Sequence, residues 1–536
     1  MIFTPLYLIV LPVLTSLLVY LIKRPIVHGL VFGTQTLLTV LAIMYFLTYY
    51  EGGVFAAPSF VVGGWHARVG ISLALDALGI AFVFLTLFIW WMVWIYLYDR
   101  RHGDYQLMFF LMFLQGVFLG LVQTNDLFNL FVFVELTTII VTILIAYKKS
   151  GQSFRAAIYY LLLNTSGVLM FLIGIILLYN TFGTININYI AENLEPYGQV
   201  TAVRYAFVLM MAGVSVKAAL FPVFTWLPKA HGSAQSVISA LLSGLIVKGG
   251  VYIFIRMQFM FADAAFNTAD FFYVVGVVTA FSGIVFALSQ QDLKQMLAYS
   301  TVSQIGLIIV GLSSPSIRVF YGGVYHIFNH ALFKALLFMG VGIIIKVFQN
   351  KKVDQLQGVF KALPHVSLAM IIGMLAITGA PLLNGFISKS VILYGFTEQS
   401  VRYWILFGLN IGTATLFVKM ATIFIGPQNL CSVGHRQGKH LALLLLSVGC
   451  IVLGNAYIPL FQGLFSIDVS DIQRVSFGAL FDYAVTITLA IAIYGLVIRR
   501  DFSLMKKLRH FKLSFETANY LFVGYIVAMV LFFILL

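Results

Sequence analysis

The sequence predicts an all-α polytopic membrane protein of about 16 transmembrane helices, and three observations carry that prediction. Of 536 residues, 61% are hydrophobic and 9% are charged. Apolar stretches of about 18 residues or more recur from end to end, each long enough to cross a bilayer as a helix. Charge, finally, is unevenly shared between alternate loops. A net charge of +14 would suggest nucleic acid in a soluble chain. Here the cations follow the loops, and no nucleic-acid partner is expected.

In order, the apolar runs place spans one to three at approximately 5–22, 28–49 and 72–98, with Lys23-Arg24 after the first and Arg100-Arg101 after the third. Spans four to eight lie at 107–124, 126–146, 155–180, 203–227 and 234–257, with Lys148-Lys149 after span five. Spans nine to thirteen lie at 270–289, 295–313, 318–346, 364–397 and 402–425, with Lys351-Lys352 after span eleven. Spans fourteen to sixteen lie at 440–464, 479–498 and 517–536, the last two separated by the basic stretch from Arg499 to Lys512. The start, Met1-Ile2-Phe3-Thr4-Pro5, lacks the basic region of a cleaved signal, so span one reads as retained. Four segments are expected: 1–106, 107–257, 270–425 and 440–536.

On these spans 21 of the 32 Lys and Arg fall in odd-numbered loops, 6 in even-numbered loops and outer helix ends, and 5 within spans. The positive-inside rule makes the odd loops cytoplasmic and puts both termini outside the cell (inner) membrane. The basic tail loop could also attract anionic lipid, but a topology signal is the simpler reading.

Two spans are interrupted by proline. Span seven runs Lys217-Ala218-Ala219-Leu220-Phe221-Pro222 and on to Trp226-Leu227-Pro228. Span twelve runs Thr378-Gly379-Ala380-Pro381 and on to Ser388-Lys389. A proline inside a helix removes a backbone hydrogen bond and clashes with the preceding turn, so both should break near mid-membrane. Five spans separate them, an odd number, so units of spans four to eight and nine to thirteen must face opposite ways. Paired broken helices in inverted units point to a transport site.

Five lysines, Lys217, Lys248, Lys334, Lys389 and Lys419, sit inside apolar runs. Two acids, Asp76 and Glu135, are read as sharing that environment. Charges so placed are costly and belong by default to an ion path or a buried pair. Glu135 comes nine residues after Asp126, ~13 Å into the membrane, and Lys217 is its natural partner. The pair could be a two-state electrostatic element or a static ion pair. Lys248 has no acid nearby in sequence, and Ser239 and Ser243 could hold water beside it. His326, His330 and Lys334 follow at four-residue spacing on one helix face. They read as a polar wire toward Lys389 or as interhelical hydrogen bonds. No third ligand or intervening glutamate accompanies the two histidines, so no metal is expected. Asp76 reads as structural or functional, and Lys419 as an exit residue or a snorkelling cation. Asp292 and Lys294 read as a helix-start acid and an interfacial cation. Cys431 and Cys450 form no disulfide framework or metal spacing.

The run from Lys217 to Tyr252, KAALFPVFTWLPKAHGSAQSVISALLSGLIVKGGVY, with Asp292 to Ser300, DLKQMLAYS, resembles the antiporter-like proton-translocating subunits of respiratory complex I, Mrp-type sodium/proton antiporters and membrane-bound hydrogenases. His326 to Gly340, HIFNHALFKALLFMG, and NGFISK ending at Lys389 are equally similar. The resemblance covers approximately residues 65–425. It implies fourteen core helices, two inverted five-helix repeats and broken helices seven and twelve. It also implies that Glu135 pairs with Lys217, that Lys248 is the central lysine and Lys389 the exit lysine, and that His326, His330 and Lys334 form the polar stretch between them. Gly63-Gly64-Trp65 and Gly70-Ile71 ahead of Asp76, with a lysine at 389, resemble the D-type members of Mrp antiporters and the hydrogenase-type members. Lys229 stands where the family commonly has an aspartate, and Val134 where it commonly has a tryptophan.

The expectation is therefore a proton-translocating subunit of a multi-subunit Na+/H+ antiporter of Mrp type, a transporter subunit rather than an enzyme, with other membrane subunits as partners and no cofactor. No nucleotide, haem or iron–sulfur motif is present in the sequence. The alternatives are the same subunit in a complex I-like NADH-quinone oxidoreductase or a membrane-bound hydrogenase, or a structural anchor without transport.

Overall fold

A computed structural model of the chain describes residues 5–98, 104–264, 266–396, 400–427, 437–470, 476–511 and 513–535. All sixteen expected spans are helical among these residues. Twelve are helices of at least 18 residues with the length and apolarity to cross a membrane. Spans one and four, Leu6–Ile22 and Tyr105–Leu121, are shorter. Spans seven and twelve are each two pieces: Thr201–Lys217 with Trp226–Ser233, and Pro364–Thr378 with Asn384–Tyr394. The chain is a multi-pass membrane protein.

Short polar residues start many of these helices. The side chains of Asp76, Asp104, Asp126, Ser150, Asp292, Ser400, Ser476 and Ser514 each accept a backbone N–H of the first turn, which satisfies donors that lack an intrahelical partner. Span three, Ala77–Leu97, begins later than its apolar run because Phe60 and Val61 pair with Leu73 and Ser72 in a small antiparallel ribbon. A second ribbon joins Tyr50 and Glu51 to Phe55 and Val54.

A repeat is visible in the element bounds. Span five, Leu127–Ala146, and span ten, Leu293–Leu312, are both 20 residues long. Span six, Gly151–Phe182, and span eleven, Ile317–Phe348, are both 32. One shift of 166 residues (293 − 127, and 317 − 151) superimposes both pairs. The same shift carries the bridge Asp126↔Asn186 onto Asp292↔Lys352. The fourth helix of each repeat is broken, and each break holds a non-glycine residue in the left-handed region, Ala219 (φ 56°) and Leu382 (φ 70°), a costly conformation for such side chains.

Span eight, Ser236–Met260, is enclosed by protein along its apolar length. It is not a uniform α-helix. Leu242–Ile246 forms a π turn in which the N–H of Val247 reaches back to the carbonyl of Leu242, a distortion that concentrates at functional sites. Spans one, two, fifteen and sixteen form an apolar perimeter and expose Leu21, Leu47, Phe481, Ile491 and Val523. Between spans fifteen, Phe477–Leu496, and sixteen, starting at Phe515, a short helix Ser503–His510 turns back on the bundle. There Arg509 donates to the Ser289 carbonyl at 2.7 Å and pairs with Asp501 at 2.5 Å.

Candidate functional site

Three groups of buried polar residues lie along the bundle, and the broken helices place two of them. In the first, Asp126 caps span five through the N–H of Asn129 at 2.7 Å. Glu135 is half-buried nine residues later, and its Oε2 is enclosed without a hydrogen-bond partner among the described residues. The expected ion pair with Lys217 is not formed: no ion pair among the described residues joins them. Lys217 donates instead to Thr138 Oγ1 at 2.6 Å, with the Tyr160 hydroxyl at 3.5 Å. Lys217 is the last residue of its helix piece, so the break fixes which level of span five its amine meets. That level is one turn beyond Glu135, on the same helix face.

The second group surrounds Lys248, which is wholly buried. Its Nζ donates to the Ser243 carbonyl inside the π turn. The Ser243 hydroxyl bonds Thr301 Oγ1 of span ten at 2.8 Å, and Thr301 donates to the Leu297 carbonyl at 2.9 Å. Lys334 of span eleven donates to that same carbonyl at 3.0 Å and to the Ser300 hydroxyl. Two buried lysines thus stand at the ends of a row of hydroxyls and carbonyls, linked through the two separate polar groups of Ser243. Ser239, expected beside Lys248, donates to the His231 carbonyl at 3.2 Å.

The third group sits at the break in span twelve. His326 bonds Ser388 Oγ through Nδ1 at 2.8 Å and Gln304 Oε1 through Nε2 at 3.0 Å. Asn329 donates to Ser388 Oγ at 3.0 Å and to the Asn384 carbonyl at 2.8 Å. Lys389 is buried, and its amine donates to the Ile377 carbonyl at 2.7 Å, where a cation meets the C-terminal end of the first helix piece. His330 lies between the second and third groups. Both its nitrogens are buried without a partner among the described residues, and its ring is 6.2 Å from that of His326.

Other expected residues are placed more simply. Asp292 caps span ten through the N–H groups of Lys294 and Gln295, and Lys294 is buried at the start of that helix, donating to the Ala234 carbonyl at 2.8 Å. Lys419 donates to the carbonyls of Leu288 and Gln290 at the end of span nine. Asp76 forms a two-pronged ion pair with Arg256 at 2.6 and 2.7 Å. Arg256 also donates to the Tyr252 hydroxyl. Burial works against the Asp76 carboxylate, but the guanidinium and the Gly79 N–H outweigh it and hold the carboxyl below its ordinary value.

A cavity of about 920 Å³ opens beside the break in span seven, lined by Phe221, Pro222, Thr225, Lys229, Asp292 and Arg509 among others. Most of its charged lining comes from odd-numbered loops. A second cavity of about 60 Å³ lies beside the break in span twelve and includes Lys389. Each broken helix therefore adjoins a cavity, and the two lie toward opposite loop faces.

Sequence reasoning missed four participants. Thr138 and Thr301 were hidden because threonines are common in apolar helices. His231 is wholly buried with both nitrogens unpartnered and stacks on Phe338 at 4.6 Å; its place in a polar run, WLPKAHGSAQS, was the available signal. Asp482, inside span fifteen, makes a third acid in the apolar environment where two were counted. Its position near the helix start disguised it.

Residues 124–416 match the family described as NADH:quinone oxidoreductase/Mrp antiporter, TM. A Staphylococcus aureus (strain MRSA252) chain that carries the name antiporter subunit mnhD2 is 31% identical over 420 residues, 77% of this chain and 83% of that one. Among solved structures, a chain of the archaeal membrane-bound sulfane sulfur reductase complex aligns with a TM-score of 0.80 at 24% identity, covering 91% of this chain and 99% of that one. A chain of the Mrp complex from Dietzia sp. DQ12-45-1b gives 0.76 at 22%, covering 94% and 99%. A chain of respiratory complex I from Thermus thermophilus gives 0.75 at 21%, covering 91% and 99%. With more than half its length matched by one family model and a relative above 30% identity, this chain belongs to the NADH:quinone oxidoreductase/Mrp antiporter transmembrane family.

Proposed function

We propose that the chain is the proton-translocating membrane subunit of a multi-subunit monovalent cation (Na+)/H+ antiporter of Mrp type. It sits in the cell membrane with odd loops cytoplasmic and both termini outside. The observation that carries this reading is the buried chain from Lys248 through Ser243, Thr301 and Leu297 to Lys334. A static core has no need of two enclosed ammonium groups without a counter-charge, whereas a proton path needs titratable groups joined by donors and acceptors. The two unpartnered nitrogens of His330 extend the line toward His326, Ser388 and Lys389, since imidazole can pass a proton between its nitrogens.

In this reading Lys217 is the switch. Bound to Thr138 it leaves Glu135 uncompensated; swung back one turn it neutralises the carboxylate. Gly250, two residues after Lys248, packs against the Lys217 backbone, so the two lysine-bearing segments adjoin. The cavity at span seven supplies the cytoplasmic approach and the cavity at span twelve the outer one.

The antiporter setting is favoured over an electron-transfer complex by the 31% identical antiporter-subunit relative. Lys248→Ala, assayed for proton-coupled cation transport in membrane vesicles, tests the reading. Transport is expected to be abolished while the protein remains inserted and assembled; undiminished transport would leave Lys248 outside any path, as a structural anchor requires. Subunit identification by mass in the purified native complex separates antiporter from redox partners.

A further inference from the structure

The shift of 166 residues that relates the two repeats exposes an asymmetry between them. In the first repeat, the lysine at the break, Lys217, has a carboxylate one turn away, Glu135. Carried onto the second repeat, the position of Glu135 falls on Thr301, and none of the spans nine to thirteen supplies a membrane-embedded acid in its place. A carboxylate nevertheless lines the cavity that Lys389 lines. Asp482 comes from span fifteen, outside both repeats, and lines the same small cavity as Lys389, Ser390, Asn410 and Thr378.

Asp482 lies within an apolar helix, FGALFDYAVTITLAIAIYGL, where a charge is expensive unless it faces a polar cavity or a partner. Its carboxylate has no hydrogen-bond or ion-pair partner among the described residues. Its neighbour Tyr483 is fixed to the break: the Tyr483 hydroxyl meets Thr378 Oγ1 at 3.0 Å, at the end of the first piece of span twelve. That bond holds span fifteen in register with the break and Asp482 at the rim, where it is exposed while Lys389 is buried. The cavity, about 60 Å³, has room for more than one water.

We propose that Asp482 is the outer terminal acceptor of the ion path, taking the proton that leaves Lys389. The inference rests on the transport reading above. The step balances simply: a proton passes from the Lys389 ammonium to a cavity water as that water gives one to the Asp482 carboxylate. The amine is left neutral and the carboxylate becomes a carboxylic acid. The acid then releases its proton to the even-loop side, and the amine is recharged from the His326 side. Span fifteen thereby contributes a transport residue rather than only packing.

The test is proton flux in vesicles carrying the intact complex, for wild type, Asp482→Asn, Asp482→Glu and Lys248→Ala. Asp482→Asn is expected to lower flux about tenfold or more, the scale of a lost proton-transfer group, with the complex assembled. Asp482→Glu, which keeps the carboxylate, is expected to restore most of it. Wild-type flux in Asp482→Asn, with Lys248→Ala inactive, overturns the role of Asp482 and leaves the transport reading standing. Full flux in Lys248→Ala removes the reading itself. Should Asp482→Asn fail to assemble, the wild-type complex decides through a hydrophobic carbodiimide, which attacks protonatable carboxyls. Flux falling in step with modification of Asp482, mapped by peptide mass, supports the role. An unmodified Asp482, or a modified one with unchanged flux, overturns it.

Discussion

Gly250 lies so close to Lys217 that a Cβ on the glycine would fall 2.6 Å from the lysine's carbonyl carbon. Span eight is therefore pressed against the break in span seven just where the two lysine-bearing segments meet. Gly250→Ala has backbone, not a flexible side chain, in its way. Overpacking of this kind costs about 1–3 kcal/mol. The purified complex should show a lower thermal midpoint, and transport should fall with it. An unchanged midpoint would mean the two spans are free to separate there.

Glu135→Gln tests whether Lys217 needs the charge or only the contact. The amine already bonds Thr138, so the protein should insert and assemble normally. Transport should nonetheless drop, because the lysine loses its second station. Near-wild-type exchange would reduce Glu135 and Lys217 to architecture.

Thr301→Val removes the hydroxyl that joins Ser243 to the Leu297 carbonyl while leaving Lys248 bonded to Ser243. The substitution is close in volume, so assembly should survive. Proton flux is expected to fall and to recover in Thr301→Ser, which keeps the oxygen. Equal flux in the valine and serine variants would show that protons bypass this bridge.

Asp76 gives a pH signature away from the path. Its carboxyl is held below the ordinary value by Arg256, against the opposing effect of burial. A depressed folded value contributes stability above the unfolded value, near ~4, and loses it as pH falls through the folded one. With the Asp76 side chain 51% exposed, the pair contributes on the order of 1 kcal/mol or less. Thermal midpoints of wild type and Asp76→Asn should differ at neutral pH and converge in acid. A gap that persists below the carboxylate range would assign the effect to the helix cap geometry instead.

Much of the fold was legible because its signals are local. Pro222 and Pro381 announced both breaks, and apolar length announced all sixteen spans. Glu135, Lys217, Lys248, His326, His330, Lys334 and Lys389 stood out because charge and imidazole are rare in such runs. The partners were not legible, since they depend on backbone geometry at the breaks. Lys217, the last residue of its helix piece, reaches Thr138 rather than Glu135, and only the geometry of the break decides that. Lys419 was ambiguous because nothing in its own helix says that the end of span nine lies opposite. Asp482 was overlooked because it precedes most of its span, and only the packing of span fifteen beside the span-twelve break brings it to the cavity that Lys389 lines.

The π turn at Leu242–Ile246 sets the compass bearing of everything after it in span eight. A surplus residue squeezed into a helix swings the following side chains by about 100°, so Lys248 keeps its bearing only while the π turn accommodates that surplus. Were an ordinary helix to close there with every residue kept, the amine would rotate by about 100° without any change in the chemical inventory of the protein. Direction, as much as composition, makes this lysine what it is.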